Sequence, residues 1–330
     1  MVASILLLLI LFCCTGDQSD YLYNKKKLTD VVKYIAALVV VIGHAFLFYI
    51  PDFGYNYEFV LGDLSVSIFF FLSGYGLIYN VSRKKDYLKN FLKNRFSKLL
   101  IPFFLAVLLY LLVSFLLGET FMFSEVLSGI ISKKPFLPYS WYVLEILALY
   151  LLFYFCFKFL KPRYALVLLS FLIITMMSIL YCNGMRKCWI MSTPCFLMGI
   201  FYYRYETNIL SFYTKNRFIL FLVLCLFLVS FEASPIVRTF HIDHFYEIAL
   251  YLKDSLFMIV FAYVLSFFSK ELPFNNKMIQ CSYELYLNQG SVFSIVKHLT
   301  SNNAIFLILS LFLCNVVGYL MNLLSRKVSN

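Results

Sequence analysis

Charge is what this sequence has least of. Only 14% of its 330 residues are Asp, Glu, Lys or Arg, and 62% are hydrophobic. Soluble domains carry about a quarter charged residues. So few charges cannot cover a water-facing surface, which excludes a soluble globular protein. Disorder is excluded as well, because it requires low hydrophobicity. The apolar runs are continuous and do not alternate, which excludes a membrane β-barrel. Metal-binding signatures are missing too: no CxxC and no Cys/His cluster has zinc spacing. The nine cysteines form no framework. Cys13, Cys14, Cys156, Cys225 and Cys314 lie in apolar runs, where cysteine acts as a small hydrophobe. Cys182 and Cys188 flank a short loop and would suit a disulfide if that loop faced an oxidising compartment.

What is present is apolar helix. Runs occur at about 31–50, 64–81, 99–117, 141–158, 164–182, 189–203, 218–231, 248–268, 278–296 and 304–324. A span needs roughly 20 apolar residues, so the expected fold is all-α, a polytopic bundle of about ten core transmembrane helices. A shorter apolar run covers residues 2–14. It has the length of a signal h-region, but Met1 to Ser4 carry no Lys or Arg and no A-x-A site follows. Residues 1–24 therefore read as a leader or an extra, partly spanning helix. Residues 25–330 read as one integral membrane domain, with no repeat and no room for an appended soluble domain.

The net charge is +11. The loops carry no basic stripe with interleaved aromatics, so a nucleic-acid partner is not expected. Lys and Arg gather in cytoplasmic loops. With ten alternating spans, the clusters at 25–33, 83–98, 158–163, 204–217, 270–277 and 326–327 all fall on one side and hold 21 of the 28 basic residues. Both ends of the core are thus expected in the cytoplasm, with membrane lipids as neighbours.

Ionisable groups inside spans are expensive and usually functional. The first core span carries Lys33 at its cytoplasmic end and His44 well inside. Eleven residues is close to three helical turns, so both side chains point the same way, about 16 Å apart along the axis. An imidazole there needs a partner and is a ready general base. In the second span, Ser73, Gly74 and Gly76 are small residues that let backbones approach. Arg95 and Lys98 lie at i, i+3 just before Pro102. They suit a phosphate-rich ligand or simply snorkel. Trp141 opens a later span as an interfacial anchor, with Glu145 one turn inside as either a substrate contact or a salt-bridge partner. Glu284, Asn288 and Gln289 sit in the ninth run, where interhelical hydrogen bonding is the plain expectation. His241, Asp243 and His244 cluster in a loop, but a metal site needs more ligands and supporting groups, and none is expected.

Taken in order, these motifs resemble the acyltransferase-3 family of integral membrane acyltransferases, over about residues 25–326. The family's first span carries Arg or Lys, ten residues, then His, as Lys33 and His44 do here. Its FF-x-x-SG segment is similar to Phe70-Phe71-Leu72-Ser73-Gly74. Its R-x-x-R before a proline resembles Arg95, Lys98 and Pro102. Its W-[FY]-L resembles Trp141-Tyr142-Val143-Leu144, a small glycine motif resembles Phe196 to Gly199, and SY-x-x-YL stands at Ser282 to Leu287. Three positions depart. Lys33 stands for Arg and Lys98 for the second Arg, which removes bidentate phosphate contacts. Gln289 stands where many relatives have His.

The resemblance implies an O-acyltransferase with acyl-CoA, in this family acetyl-CoA, as co-substrate and no permanently bound cofactor. The acceptor it implies is a carbohydrate or glycolipid hydroxyl, and the location the bacterial inner (cytoplasmic) membrane. In that scheme His44 is the base. Lys33, Arg95 and Lys98 hold the CoA phosphates, and Ser73, Trp141, Glu145 and Gln289 contact substrate or oxyanion, with no role carried over to Gln289 from the relatives' His. The alternative is a polysaccharide exporter of the same fold without acyl chemistry.

Overall fold

The computed structural model describes residues 19–50, 57–119, 136–185, 189–239, 243–268 and 276–329. Residues 1–18, Cys188 and the side chains of His241, Asp243 and His244 lie outside this set, and with them the leader, the Cys182–Cys188 pairing and the His/Asp cluster. A 3-10 turn at Leu22–Lys25 leads into α1 (Lys26–Tyr49). There follow α2 (Tyr57–Arg83), α3 (Phe91–Leu116), α4 (Trp141–Phe159), α5 (Pro162–Cys182) and α6 (Pro194–Lys215). The chain continues as α7 (Arg217–Thr239), α8 (Asp243–Phe267), the short α9 (Asn276–Ile279), α10 (Ser282–Leu299) and α11 (Asn303–Ser329). No strand occurs among the described residues, so the protein is all-α, as its apolar runs require. Each of the ten runs falls on one of the ten long helices.

Among the described residues, six segments are long and apolar enough to cross a membrane: Leu22–Leu47, Gly62–Arg83, Phe91–Leu116, Trp141–Phe159, Pro162–Cys182 and Asn303–Val328. A seventh is added if the bent pair Pro194–Lys215 and Phe218–Phe227 is one span. Their outward faces fit lipid. On α3, Phe104, Leu108, Leu112 and Phe115 are all exposed at helical spacing. A stripe of that size has no place in water.

The contacts gather into two compact units. The first contains Met1–Lys33, Asp63–Arg83 and Met191–Phe274; the second contains Tyr34–Gly62, Lys84–Ile190 and Asn275–Asn330. In the first unit α7 and α6 both pack on α8. Helices α2 and α6 also meet there, at two glycines. A Cβ on Gly74 would lie 2.1 Å from the Phe196 carbonyl oxygen, and one on Gly199 would lie 2.0 Å from that of Phe71. Backbone therefore touches backbone, which only glycine permits. The chain before α1 is tied to the same unit. The Asp20 N–H donates to the Ser266 carbonyl at 3.0 Å, and the Lys25 ammonium donates to the carbonyls of Leu265, Ser266 and Phe268 at the end of α8. A cation at a helix C-terminus meets its orphan carbonyls.

In the second unit α10 packs on α11 and α3, α11 on α3, and α4 on α3 and α5. Proline opens α5, where its missing N–H costs nothing. Pro102 lies inside α3 and removes the donor to the carbonyl of Lys98. One residue along, the Tyr283 hydroxyl of α10 donates to the Leu99 carbonyl at 3.1 Å. Helix α10 is the polar one, yet Asn288, Gln289 and Ser291 are wholly buried. Their neighbours are other helices in place of lipid. Asn288 Nδ2 donates to the Cys314 carbonyl at 3.0 Å, and Asn322 Nδ2 donates to Glu284 at 2.9 Å.

The glycine contact generates a stability prediction. Gly199→Ala forces apart two helix backbones and should cost about 1–3 kcal/mol, read as a lowered Tm of the full chain in detergent. Gly76→Ala meets nothing within 4 Å and should hold or slightly raise the Tm.

Candidate active site

The His44 imidazole is the centre of the second unit's polar interior. Helix α1 runs unbroken through Lys33 and His44, so their shared face follows from helical geometry. His44 Nδ1 lies 2.9 Å from Gln289 Oε1 on α10. The amide oxygen accepts only, so Nδ1 carries the proton and Nε2 carries the lone pair, an assignment made from the hydrogen bond. The ring is flanked by Tyr139, with centroids 4.2 Å apart and planes at 19°. His44 keeps part of its surface accessible, whereas Gln289 has none.

Tyr139 stands in the short loop before α4. It has a left-handed backbone, φ +67°, the single such residue other than glycine among those described. For a bulky side chain that conformation is strained and needs outside support. The support comes from several sides. The Tyr286 hydroxyl on α10 donates to the Tyr139 carbonyl. The Tyr49 side chain hydrogen-bonds that of Tyr139. Phe293 meets the Tyr139 ring edge-on at 6.2 Å and Tyr49 at 5.1 Å. Tyr286, Gln289 and Phe293 are spaced i, i+3, i+7, so a single face of α10 serves both His44 and Tyr139. Gly290 keeps that helix close to the loop, since a Cβ there would sit 3.1 Å from the Pro138 ring.

The other residues singled out from sequence divide. Gln289 is brought onto His44. Trp141, the first residue of α4, packs on Trp189 at 6.0 Å, and its neighbour Tyr142 meets Tyr286 at 5.9 Å. Glu145 is buried on α4. Arg95 is half-buried at the start of α3 and turns to Tyr87, with Nε 2.8 Å from the phenol oxygen. Burial pushes that phenol above its usual range, against the pull of Arg95. Tyr87 is therefore a neutral partner, and the guanidinium charge stays uncompensated by it. Lys98 is exposed one turn later. Lys33 Nζ lies 3.9 Å from Asp30 Oδ1 near the surface. Ser73 is half-buried beside the Gly74 crossing in the first unit.

Sequence reasoning missed Tyr139, and it held Tyr286 only as a letter of the SY-x-x-YL motif, without its partner. Tyr139 is one of 26 tyrosines, two positions before a Trp that reads as an interfacial anchor. Only its backbone marks it out. A second polar centre, in the first unit, was also missed. Lys253 is fully buried, with Asp254 at 3.3 Å and Asp63 at 3.8 Å. Ser67 and Ser192 donate to Asp254 Oδ2 at 2.9 and 3.1 Å. In the charge map Lys253 is an exception among the basic residues, and here it has two carboxylates of its own.

The fold is that of an integral membrane helical protein, with an imidazole held inside it. The acyltransferase-3 family model, described as an acyltransferase domain, matches residues 29–323. The chain belongs to that family, and is an integral membrane acyltransferase. No curated protein and no solved structure matches it.

The support for Tyr139 yields a prediction. Tyr286→Phe leaves the Tyr139 carbonyl without its side-chain donor and should destabilise the protein by about 1–3 kcal/mol, seen as a lower Tm. Tyr139→Gly relieves the strained backbone, worth about 1–3 kcal/mol, but deletes the ring packed on His44 and Phe293, so the double variant should not regain the lost Tm.

Proposed function

We propose that the protein is an O-acyltransferase that moves an acyl group, acetyl in keeping with its family, from acyl-CoA to a hydroxyl of a carbohydrate or glycolipid. The observation that carries this is the His44–Gln289 hydrogen bond, which leaves Nε2 of a partly accessible imidazole as a base inside the membrane protein. In this reading the acceptor hydroxyl gives its proton to His44 Nε2, and its oxygen attacks the thioester carbonyl carbon. The tetrahedral intermediate collapses with loss of the CoA thiolate, which takes the proton back from the imidazolium. An ester and free CoA result, and His44 is regenerated. Gln289 Oε1 holds the tautomer throughout, and the Tyr139 ring holds the plane of the imidazole.

CoA carries phosphates, and Lys33, Arg95 and Lys98 supply cations for them. Arg95 has donors beyond the two that face Tyr87. Trp141, Glu145 and Ser73 are reserved for substrate contacts. The carbohydrate acceptor rests on the family alone. The inner membrane, ten spans and cytoplasmic ends complete the proposal on the strength of the basic-residue bias.

His44→Ala should lower acyl transfer at least 100-fold, the ordinary worth of a positioned base, while the protein still reaches the membrane. The measurement is mass spectrometry of surface glycans from a deletion strain carrying either version. A strain that keeps its acyl esters on the His44→Ala protein would overturn the mechanism.

A further inference from the structure

Gln289 spends only half of its amide on His44. Its Oε1 accepts from Nδ1. Its Nε2 is buried and has no hydrogen-bond partner among the described residues, in a side chain with no exposed surface. Leaving a buried amide donor unmade costs about 1–3 kcal/mol, and within a membrane water does not compensate. Two other polar side chains nearby on α10 have donors that are spoken for. The Tyr286 hydroxyl is used on the Tyr139 carbonyl and Asn288 Nδ2 on the Cys314 carbonyl. Asn288 Oδ1 also lacks a partner among the described residues, but it is an acceptor and cannot serve an anion. Ser291 Oγ lacks one too, but two residues along a helix is about 200° round it, away from the face that meets His44.

The amide nitrogen is bonded to the same carbon as the oxygen that holds His44. A ligand oxygen that meets it is therefore brought beside the imidazole. We infer that Gln289 is a catalytic residue in its own right: its Nε2–H donates to the carbonyl oxygen of the acyl thioester and then to the oxyanion formed there. The inference rests on the proposed acyl transfer. It assigns the two ends of one side chain to the two demands of that step. Oε1 fixes the base, and Nε2 meets the charge that develops as the hydroxyl adds to the carbonyl carbon. A neutral amide is suited to this, because it needs no change of protonation as the carbonyl oxygen becomes an anion and then a carbonyl again.

The test uses the full chain in lipid nanodiscs with acetyl-CoA labelled with 13C at the thioester carbonyl. Isotope-edited infrared spectroscopy reads the carbonyl stretch of the bound molecule. The wild-type protein should move this band to lower frequency than in free acetyl-CoA. Gln289→Glu keeps an oxygen for His44 Nδ1 and deletes the amide donor; Gln289→Met has no donor in any protonation state. Both should return the band towards the free position. Both should also lower the turnover read by thiol release 10²- to 10³-fold, with KM for acetyl-CoA little changed. A residue that only positions His44 would behave otherwise: the Glu variant would retain turnover and the Met variant would lose it. That pattern, or an unshifted band in the wild-type complex, overturns the inference while the loss of activity in His44→Ala leaves the proposed function standing. Failure of the wild-type protein to bind acetyl-CoA at all overturns both.

Discussion

A polar side chain placed among apolar helices has to find its partner within the protein, because the hydrocarbon around it offers none. His44 is where this constraint acts most strongly on the second unit. Its imidazole binds α1 to Gln289 of α10, so α10 must run close by. That helix is too polar to face lipid, and the rest of the unit follows from enclosing it. Helix α11 takes the Asn288 amide on a carbonyl and gives the Asn322 amide to Glu284. Helix α3 takes the Tyr283 hydroxyl beside its own proline. The loop before α4 is held against α10 by Tyr286 and by the absence of a side chain on Gly290. Each contact satisfies a group that lipid would leave bare.

The first unit meets the same constraint differently. Glu206 accepts from the Leu22 N–H and the Tyr75 hydroxyl, both at 2.8 Å. Lys253 is enclosed by Asp63, Asp254 and the serines that bond Asp254. Breaking one partner from such a buried set strands the remaining charge, so these groups knit α2, α6 and α8 to one another and to the chain before α1. They turn towards the protein. The His44 centre differs because its ring keeps accessible surface and its partner keeps a spare donor.

Much of this was legible in the sequence. Continuous apolar runs have one reading, and each lies on a helix. The Lys33–His44 spacing put an imidazole inside the first span, and the order of short motifs gave the family, which the match over residues 29–323 shows. Two of those motifs turn out to be one contact. The glycines at 74 and 199 lie in segments more than a hundred residues apart, and they meet backbone to backbone. No period or spacing within either segment could pair them. Gln289 was legible as a polar residue in a membrane helix, but its partner was not, because hydrogen bonding between helices leaves no trace in spacing along a chain. Tyr139 was the least legible, since a left-handed backbone is anticipated from Gly, Asn or Asp and not from tyrosine. For Lys253, charge counting shows which side of a membrane a residue prefers and says nothing of two carboxylates waiting beside it.

Position 139 is subject to opposed demands. The backbone asks for glycine, while the face of His44 asks for a large flat ring. Among the twenty coded residues none meets both. The mirror-image amino acid would: a D-tyrosine has its comfortable region where L-tyrosine is strained, and would carry the same ring. The ribosome does not supply it. Natural variation at this site therefore has a choice between two imperfect solutions, a relaxed loop without a ring or a ring on a tense loop, and this chain has taken the second.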